Sequence, residues 1–410
     1  MKLVKVGSAN FEKLINRNSH FKKRVADSVK NILDNVRLNG DDALIRYTRK
    51  FDKVKMKTKD IRVTECEISG AYQNIKPEIV TTLKTVIENI NKFYGKKIKK
   101  SWKTRAKDGV VLGERVTPIE NVGVYVPSGT VPLVSSVYMT VLPAIIAGVK
   151  RIALCSPPNK YGTIDPYILV VANLLKVSEI YKVGGAQAIG ALAYGTKTIP
   201  KVDKIVGPGN MYVTEAKRQV FGYCDIDMLA GPSEVVILAN DYADSRYVEA
   251  DLLSQSEHHK GFSVLVTPSK KLMKAVKNKV EGGYAVLTKN MDQAVEIVNL
   301  LAPEHLQIIV KNPRSVLKKI KNAGAIFIGS YTPVTVGDYV AGPSHVLPTG
   351  GTARFFSGLC IGDFMKSSHI ISYTKKALEE AKDSIEKLTT IEGLPRHMNS
   401  VNVRFNKEDA

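Results

Sequence analysis

A regular alternation of short β-type runs with longer helical runs constrains the fold most strongly. From Asn121 to Asn240, the runs rich in β-branched residues are VGVYV, RIALCS, EIYKVGG, KIVGPG and EVVILA. The stretches between them, such as PYILVVANLLKV and GAQAIGALAYG, carry apolar residues at helical spacing. This order predicts a parallel sheet with helices on both faces, because parallel strands need long crossover connections.

A second alternation of the same kind follows Asp241. A helix ending near His259 precedes the strand FSVLVT, and the strands YAVLT, LQIIV and AIFIG then alternate with helices. We therefore predict an α/β fold of two Rossmann-like lobes, with parallel sheets flanked by helices and small helical segments at both ends. The predicted regions are a helical N-terminal region packing on the second lobe (1–120), a nucleotide-binding lobe (121–240), a second lobe carrying metal and catalytic residues (241–366), and a C-terminal dimerisation tail (367–410).

The two terminal regions show weaker patterns. The stretch HFKKRVADSVKNILDNVRLNGDDALIRYTRKFD predicts two amphipathic helices that are separated at Asn39 and Gly40. The tail predicts two helices broken at EGLP, followed by a short strand VNVRF.

The length and composition are those of a globular protein with at least two lobes. Its 410 residues exceed the roughly 250–300 that one core usually supports. Hydrophobic residues make up 44% and charged residues 24%, and no apolar run approaches the roughly 18 residues that span a bilayer. The N-terminus lacks a signal-peptide pattern, and the four cysteines lie far apart, so we expect a cytoplasmic protein with buried thiols and no cysteine nucleophile.

The net charge of +21 would suit an anionic partner. The segment from Lys92 to Gly109 mixes basic and aromatic residues, as nucleic-acid-binding proteins do. However, basic residues are spread along the whole chain, which favours a solvated surface. We expect no membrane or nucleic-acid partner, although a nucleic-acid-binding protein is the alternative that the charge favours.

Glycine-rich turns follow several strands of the first alternation: YVPSGT, KVGGAQ and VGPGN. In open parallel sheets, ligands bind beyond the carboxyl ends of strands, where free backbone amides attract anions. No GxGxxG motif follows the first strand, so the residues alone leave the nucleotide lobe a hypothesis.

Histidines beside amides and carboxylates are the candidates for chemistry. Six of the seven histidines lie between 258 and 397. On a helix, Gln255 lies one turn from both His258 and His259, close enough for two side chains to bind one metal ion. The motif APEHL places Glu304 and His305, two possible proton carriers, just before a strand.

Two more such pairs lie further along the chain. Asp338 and His345 fall in the glycine- and proline-rich segment GDYVAGPSHVLPTGGTAR, and Glu392 precedes His397 by five residues. Metal ligands beside a glutamate–histidine pair could also serve a zinc hydrolase that acts on an amide. That alternative leaves the glycine turns without a purpose.

The chain resembles the histidinol dehydrogenases over roughly residues 110–405. The motifs that carry the resemblance are YVPSGTVPL, VGGAQAIGALAYGT, VGPGNMYVTEAKR, IDMLAGPSE, DLLSQSEH, APEHL, GDYVAGPSHVLPT and EGLPRHMNSVNVR. The resemblance implies NAD-dependent four-electron oxidation of L-histidinol to L-histidine through L-histidinaldehyde, in the last steps of histidine biosynthesis. It also implies a homodimer whose tails complete each other's active sites.

The resemblance assigns roles to individual residues. The ligands of one Zn²⁺ per subunit are Gln255, His258, Asp338 and His397. The catalytic proton-transfer residues are Glu304 and His305. The substrate contacts are Ser233, Gln255, His258, His305, Asp338, His345, Glu392 and His397. The NAD contacts are Tyr125, Gln187 and Asn210. Helical periodicity by itself favours His259 over His258 as the inward residue, but the family register favours His258, with His259 flanking the metal.

Overall fold

The computed structural model describes residues 1–17, 23–95, 98–128, 131–257 and 261–405. The chain divides into two compact units. The first contains Met1–Ile98 and Ile119–Phe364, and the second contains Lys99–Pro118 and Met365–Ala410. No helix in the described ranges is long and apolar enough to cross a membrane.

The strands and helices are numbered in chain order. The strands are β1 Lys2–Val4, β2 Trp102–Arg105, β3 Val111–Pro118, β4 Asn121–Tyr125, β5 Arg151–Ser156, β6 Glu179–Lys182, β7 Lys204–Val206, β8 Asp225–Ile226, β9 Glu234–Ala239, β10 Phe262–Thr267, β11 Tyr284–Leu287, β12 His305–Ile309, β13 Ala325–Ile328 and β14 Met365–Ser372. The α-helices are α1 Ala9–Ile15, α2 Lys23–Phe51, α3 Glu65–Gln73, α4 Pro77–Tyr94, α5 Val134–Ala147, α6 Pro166–Leu174, α7 Gly185–Tyr194, α8 Met211–Val220, α9 Ser245–Ser254, α10 Lys270–Lys277, α11 Met291–Leu301, α12 Pro313–Leu317, α13 Val334–Tyr339, α14 Lys375–Ile391 and α15 Pro395–Asn402. Short 3₁₀ helices cover Thr58–Asp60, Gln255–Glu257, Thr352–Arg354 and Ile361–Phe364.

Two parallel sheets form the first unit. One has the strand order β6-β5-β4-β7-β8, and the other has the order β1-β11-β10-β9-β12-β13. In the first sheet the chain moves outward from the central strand β4 and later returns to the other side of β4 as β7. In the second sheet it moves outward from β9 in the same way and returns to the other side of β9 as β12. Helices pack against both sheets and bury their faces, which confirms the predicted fold of two Rossmann-like lobes.

Strand β9 belongs to the second sheet, which corrects its predicted place in the first lobe. It pairs with β10 on one side and β12 on the other. All six of its residues are buried, as expected for a central strand that is covered on both faces. The sequence pattern could not show this, because the alternation of strands and helices indicates that a strand exists but does not determine which strands pair with it.

The N-terminal region packs on both lobes, so the prediction that it packs on the second lobe was wrong for its main helix. Strand β1 joins the second sheet beside β11, and α1 packs against that lobe. The long helix α2 instead packs on α7 and α8 of the first lobe. Its helical path is interrupted at Gly40, whose φ of +48° and ψ of −126° confirm the predicted break.

The second unit contains a small antiparallel sheet and two helices. Its strand order is β14-β3-β2, which the sequence did not predict. The helices α14 and α15 confirm the two predicted helical segments of the tail. The predicted strand VNVRF was wrong, since this stretch forms the end of α15 and a turn.

The α2–α7 interface generates a stability prediction. Leu33 is 2% exposed in the first-lobe core, whereas Leu38 on the same helix is 82% exposed. Leu33→Ala should lower the free energy of unfolding by about 2–5 kcal/mol, because it removes buried methyl groups and leaves a cavity. Urea denaturation measures this loss. Leu38→Ala is the matched control and should change stability little; equal losses in both variants would contradict the packing described here.

Candidate active site

The predicted catalytic pair lies at the amino end of β12 in the second sheet. Helix α11 ends at Leu301, and Ala302 adopts a left-handed conformation with φ of +44° that turns the chain toward Glu304. Glu304 is 6% exposed, and His305 is 3% exposed as the first residue of β12. The two side chains are therefore nearly withdrawn from water at an edge where strands begin.

Glu304 is a buried carboxyl group with two hydrogen-bond donors on one oxygen. Its Oε2 accepts from the Ser233 hydroxyl at 2.9 Å and from the Glu234 amide at 2.7 Å. Burial raises the pKa of Glu304 to about 7, against the lowering influence of His305. A carboxyl group with such a pKa can both accept and donate a proton near neutral pH.

His305 is fixed by a hydrogen bond that defines its tautomer. Its Nδ1 lies 2.8 Å from the backbone oxygen of Glu234, which can only accept, so Nδ1 carries a hydrogen. Its Nε2 lies 3.5 Å from Asp338 Oδ1. Burial favours the neutral ring, but the charges of Glu304 and Asp338 outweigh it and raise the pKa of His305 to about 9. The exchangeable proton of this ring is therefore on Nε2.

A cavity of about 650 Å³ opens beside His305. Its polar wall includes Asp338 and His345, and the Phe327 ring lies against His305 at 5.8 Å between ring centroids. His345 Nε2 lies 3.0 Å from the Ser135 hydroxyl on α5, so a residue of the first lobe orients this ring at the wall. The volume lies within the range of about 300–1,000 Å³ typical of small-ligand sites.

The other predicted metal ligands are only partly described. Gln255 begins the 3₁₀ turn after α9, is 4% exposed, and its side-chain Nε2 has no hydrogen-bond partner within the described ranges. The segment is tightly folded, because a side chain at Gly261 would meet the Gln255 backbone oxygen at 2.2 Å. His258 and its neighbour His259 lie outside the described residues. No metal-binding cluster of histidine, cysteine, aspartate or glutamate occurs among the residues that the structure describes.

Glu392 and His397 lie in the second unit. Glu392 caps the carboxyl end of α14, and His397 lies in the first turn of α15. Both residues are exposed within this unit.

The three predicted cofactor contacts lie in the first lobe at the carboxyl ends of strands. Tyr125 ends β4, and its hydroxyl oxygen accepts from the Gly185 amide at 3.1 Å. Gln187 follows in the first turn of α7, and Asn210 caps α8 by accepting from two backbone amides. The strand order reverses between β4 and β7, because the chain first runs from β4 toward β6 and then returns to the other side of β4 as β7. Tyr125 and Asn210 follow these two strands, so they flank the position where open α/β sheets bind ligands.

A buried ion pair shapes the turn after β7. Lys217 bonds to the Gly207 oxygen and pairs with Asp227, whose other oxygen accepts from the Gly207 amide at 2.7 Å. Gly207 has φ of +115°, and a side chain there would meet the Tyr125 backbone oxygen at 2.2 Å. Only glycine fits this turn, which brings the backbone before Asn210 close to Tyr125.

Several polar groups near these turns have unpaired atoms. Asp52 Oδ2, Ser156 Oγ and Gln187 Oε1 are buried without a hydrogen-bond partner within the described ranges. More than nine in ten buried polar groups normally have one.

Four residues of this region were missed by sequence reasoning. Glu234 could have been noticed, because a charged residue opening a fully buried strand is unusual. Arg17, Asp52 and Cys360 gave no signal. Arg17 binds Glu234, Asp52 acts on Tyr125, and Cys360 lines the cavity. Tertiary structure alone brings them to the site.

Asp52 generates a pH prediction. Burial raises the pKa of Asp52 to about 6, so the folded chain binds its proton more tightly than the unfolded chain does. Stability from this group is therefore present at low pH and is lost as pH rises through about 4 to 6. Asp52→Asn should stabilise the protein by about 1 kcal/mol at pH 7.5, a discounted value because the group is partly accessible.

Urea denaturation at pH 4 and pH 7.5 checks this expectation. The gain should be much smaller at pH 4, where Asp52 is protonated in the folded protein and is close to its ordinary pKa of 3.8 in the unfolded chain. Asp42→Asn, at an exposed position on α2, the helix that ends just before Asp52, is the control. A gain of the same size for both variants, or one independent of pH, would show that Asp52 bears no buried charge.

Comparisons with known proteins identify the family of the chain. The family model described as histidinol dehydrogenase matches residues 15–405. Curated proteins with that name include one from Clostridium acetobutylicum, 46% identical over 97% of this chain and 96% of its own, and one from Listeria innocua, 46% identical over 95% of each. A crystal structure of histidinol dehydrogenase from Elizabethkingia anophelis superimposes with a TM-score of 0.92 at 36% identity, covering 99% of this chain and 98% of that one. The chain therefore belongs to the histidinol dehydrogenase family of enzymes.

Proposed function

We propose that the chain oxidises L-histidinol to L-histidine through L-histidinaldehyde, transferring four electrons in two steps to NAD. The carrying observation is the buried Glu304–His305 pair beside Asp338 at the cavity. Burial raises the pKa of Glu304 to about 7. Burial disfavours the charged His305 ring, but the charges of Glu304 and Asp338 outweigh it and raise the pKa of His305 to about 9. Both groups can therefore exchange protons at neutral to mildly alkaline pH, as an alcohol oxidation followed by an aldehyde oxidation requires. The proposal extends family membership to a specific reaction.

His305 is proposed to accept the alcohol proton. Since Nδ1 donates to the Glu234 oxygen, Nε2 is the atom that is free to take the proton, and it faces Asp338 at 3.5 Å. Its ring must be neutral when it acts, and the adjacent carboxylates stabilise the imidazolium that forms. NAD, when bound, accepts the hydride that leaves the carbinol carbon in each oxidation.

Glu304 is proposed to activate water for hydration of the aldehyde. Its Oε2 is held by Ser233 and Glu234, which leaves Oε1 to take a proton from water. No thiol intermediate is needed. Cys360 lines the cavity and is exposed, contrary to the expectation of buried thiols. Partial desolvation and the nearby Asp363 raise its pKa, so it stays a thiol and is a poor nucleophile.

The metal assignment is supported by the donor set. Gln255, His258, Asp338 and His397 would offer one amide, one carboxylate and two imidazoles, which are donors that zinc accepts. The buried, incompletely paired Gln255 amide fits a ligand role, since its oxygen and nitrogen can exchange places. Zinc, when bound, would hold the imidazole and amino nitrogens of the substrate and so orient it.

The remaining contacts are proposed as follows. Ser233 and His345 would contact substrate within the first unit, and Glu392 would face its cationic groups. Tyr125, Gln187 and Asn210 would bind NAD. Tyr125 and Asn210 are supported by their place at the chain reversal of the first sheet, and Gln187 by the hydrogen bond that joins the start of α7 to the Tyr125 hydroxyl.

A homodimer with shared active sites is supported by exposed apolar side chains in the second unit. Those exposed by about half or more include Trp102, Ile371, Tyr373, Ile391 and Val403. Apolar surface of this kind commonly marks an interface. A partner subunit would cover it, and Glu392 and His397 would then act in the partner's site. The cytoplasmic location stays a prediction from sequence.

The reaction itself is tested by NADH absorbance with L-histidinol as the sole oxidisable substrate. Each L-histidinol consumed should yield two NADH, since four electrons leave the substrate. Treatment with a chelator should abolish the rate, and added Zn²⁺ should restore it. No NADH formation by the zinc-loaded protein would overturn the dehydrogenase proposal, whereas an unchanged rate in chelator would overturn only the metal assignment.

The choice between the adjacent histidines is tested by zinc content. His258→Ala should lose bound zinc, and its matched neighbour His259→Ala should keep it. Equal retention in both variants would remove His258 from the ligand set.

The division of roles is tested by separate half-reactions. His305→Asn should slow oxidation of both L-histidinol and L-histidinaldehyde by about 10²-fold or more, because both steps release a proton. Glu304→Gln should slow mainly the aldehyde step. The exposed His369→Asn is the control and should leave both rates unchanged. Equal losses in both steps for Glu304→Gln would remove the assigned division.

A further inference from the structure

We propose that Glu234, held in place by Arg17, is a positioning residue for the catalytic pair; this inference rests on the proposed function. Glu234 is the first residue of β9 and is 3% exposed. It reaches no part of the cavity wall. It acts through the residues that do the chemistry.

The backbone of Glu234 contacts both proton carriers. Its N–H donates to Glu304 Oε2 at 2.7 Å, and its C=O accepts from His305 Nδ1 at 2.8 Å. The N–H of Glu234 thus orients the carboxyl group of Glu304, and the C=O of Glu234 fixes the tautomer of His305. A shift of this backbone by a fraction of an ångström would misplace both side chains together.

The side chain of Glu234 is what anchors that backbone. Arg17 binds it with two parallel hydrogen bonds, Nε to Oε1 at 2.7 Å and Nη2 to Oε2 at 2.6 Å. The Gly350 amide adds a third at 2.8 Å. Arg17 is itself held over the Phe262 ring, 4.9 Å from its centroid. Three hydrogen bonds from two groups, Arg17 and Gly350, therefore hold the carboxylate of Glu234.

Arg17 also balances charge at this edge of the sheet. Glu234 and Glu304 are both buried acidic groups, and the charge of Glu234 opposes ionisation of Glu304. A buried carboxylate without a cation is strongly unfavourable. Removing Arg17 would leave the charge of Glu234 unpaired beside Glu304. The start of β9 would then have to move, or one of the two carboxylates would have to bind a proton.

The chain offers a matched pair that holds no catalytic group. Arg151 binds Glu179 in the same two-bond geometry at 2.8 Å and 2.8 Å, with the two side chains 21% and 19% exposed. Glu179 also accepts from the Tyr181 hydroxyl. Glu179→Gln thus removes a comparable ion pair from the first lobe and controls for loss of stability.

The experiment compares Glu234→Gln, Arg17→Met, Arg17→Lys and Glu179→Gln in the zinc-loaded protein. Glu234→Gln and Arg17→Met should lower kcat for L-histidinol about 10- to 100-fold, with KM changed by less than about threefold, because displacement of catalytic groups affects the chemical step. Arg17→Lys, which keeps the charge, should recover much of kcat. Glu179→Gln should lower the melting temperature but leave kcat within about twofold.

A spectroscopic readout is independent of turnover. The spectra are recorded above the His305 pKa of about 9, where the ring is neutral and its tautomer is defined. With ¹⁵N-labelled histidine, the His305 signal, assigned by its absence in His305→Asn, should show a hydrogen fixed on Nδ1 in the unsubstituted protein. Glu234→Gln and Arg17→Met should shift this signal toward a tautomer mixture, and Glu179→Gln should not.

The outcomes separate the two proposals. Unchanged His305 nitrogen signals in Glu234→Gln, or a kcat loss no larger than that of Glu179→Gln, would overturn the positioning role. If the unsubstituted protein forms no NADH from L-histidinol, the proposed function fails, and the nitrogen spectra still decide whether Glu234 orients His305.

Discussion

The pairing of β9 with β12 is the interaction on which the site depends. These two central strands lie side by side in the second sheet, with His305 opposite Val235. That register brings the peptide groups of Glu234 next to Glu304 and His305, although about 70 residues separate them in the chain. A slip in register would move the peptide groups of Glu234 away from Glu304 and His305, and it would change which side chains of β9 face each layer of helices.

Burial of charge gives this edge of the sheet its chemical character. Arg17, Glu234, Glu304 and His305 are all largely removed from water, and each has a partner. In such surroundings the loss of a partner leaves a buried charge unpaired, which costs much free energy, so the network has few alternative arrangements. The same low exposure moves the pKa of Glu304 up to about 7, which an exposed carboxyl group would not reach. Rigidity and proton-transfer capacity thus have one physical origin.

The two lobes share a strand order but use opposite edges of their sheets. In the first lobe, the glycine turns that follow β4 and β7 offer backbone amides and tightly fitted peptides, as at Gly207. In the second lobe, the segments that precede β9 and β12 offer acidic and imidazole side chains. Backbone amides suit an anionic dinucleotide, whereas side chains suit proton transfer. The rule that ligands bind at the carboxyl ends of strands therefore points to the proposed cofactor contacts and not to the proposed catalytic pair.

The sequence by itself determined the fold class, because strand and helix periodicities of 2 and 3.6 are local properties, and its motifs determined the family. It also identified Glu304 and His305 as a pair at the start of a strand, since both are neighbours in the chain. Only tertiary structure decided that β9 belongs to the second sheet, that α2 packs on the first lobe, and that Arg17 meets Glu234. These contacts join residues far apart in sequence, and their selection depends on which buried surfaces and charges complement each other in three dimensions.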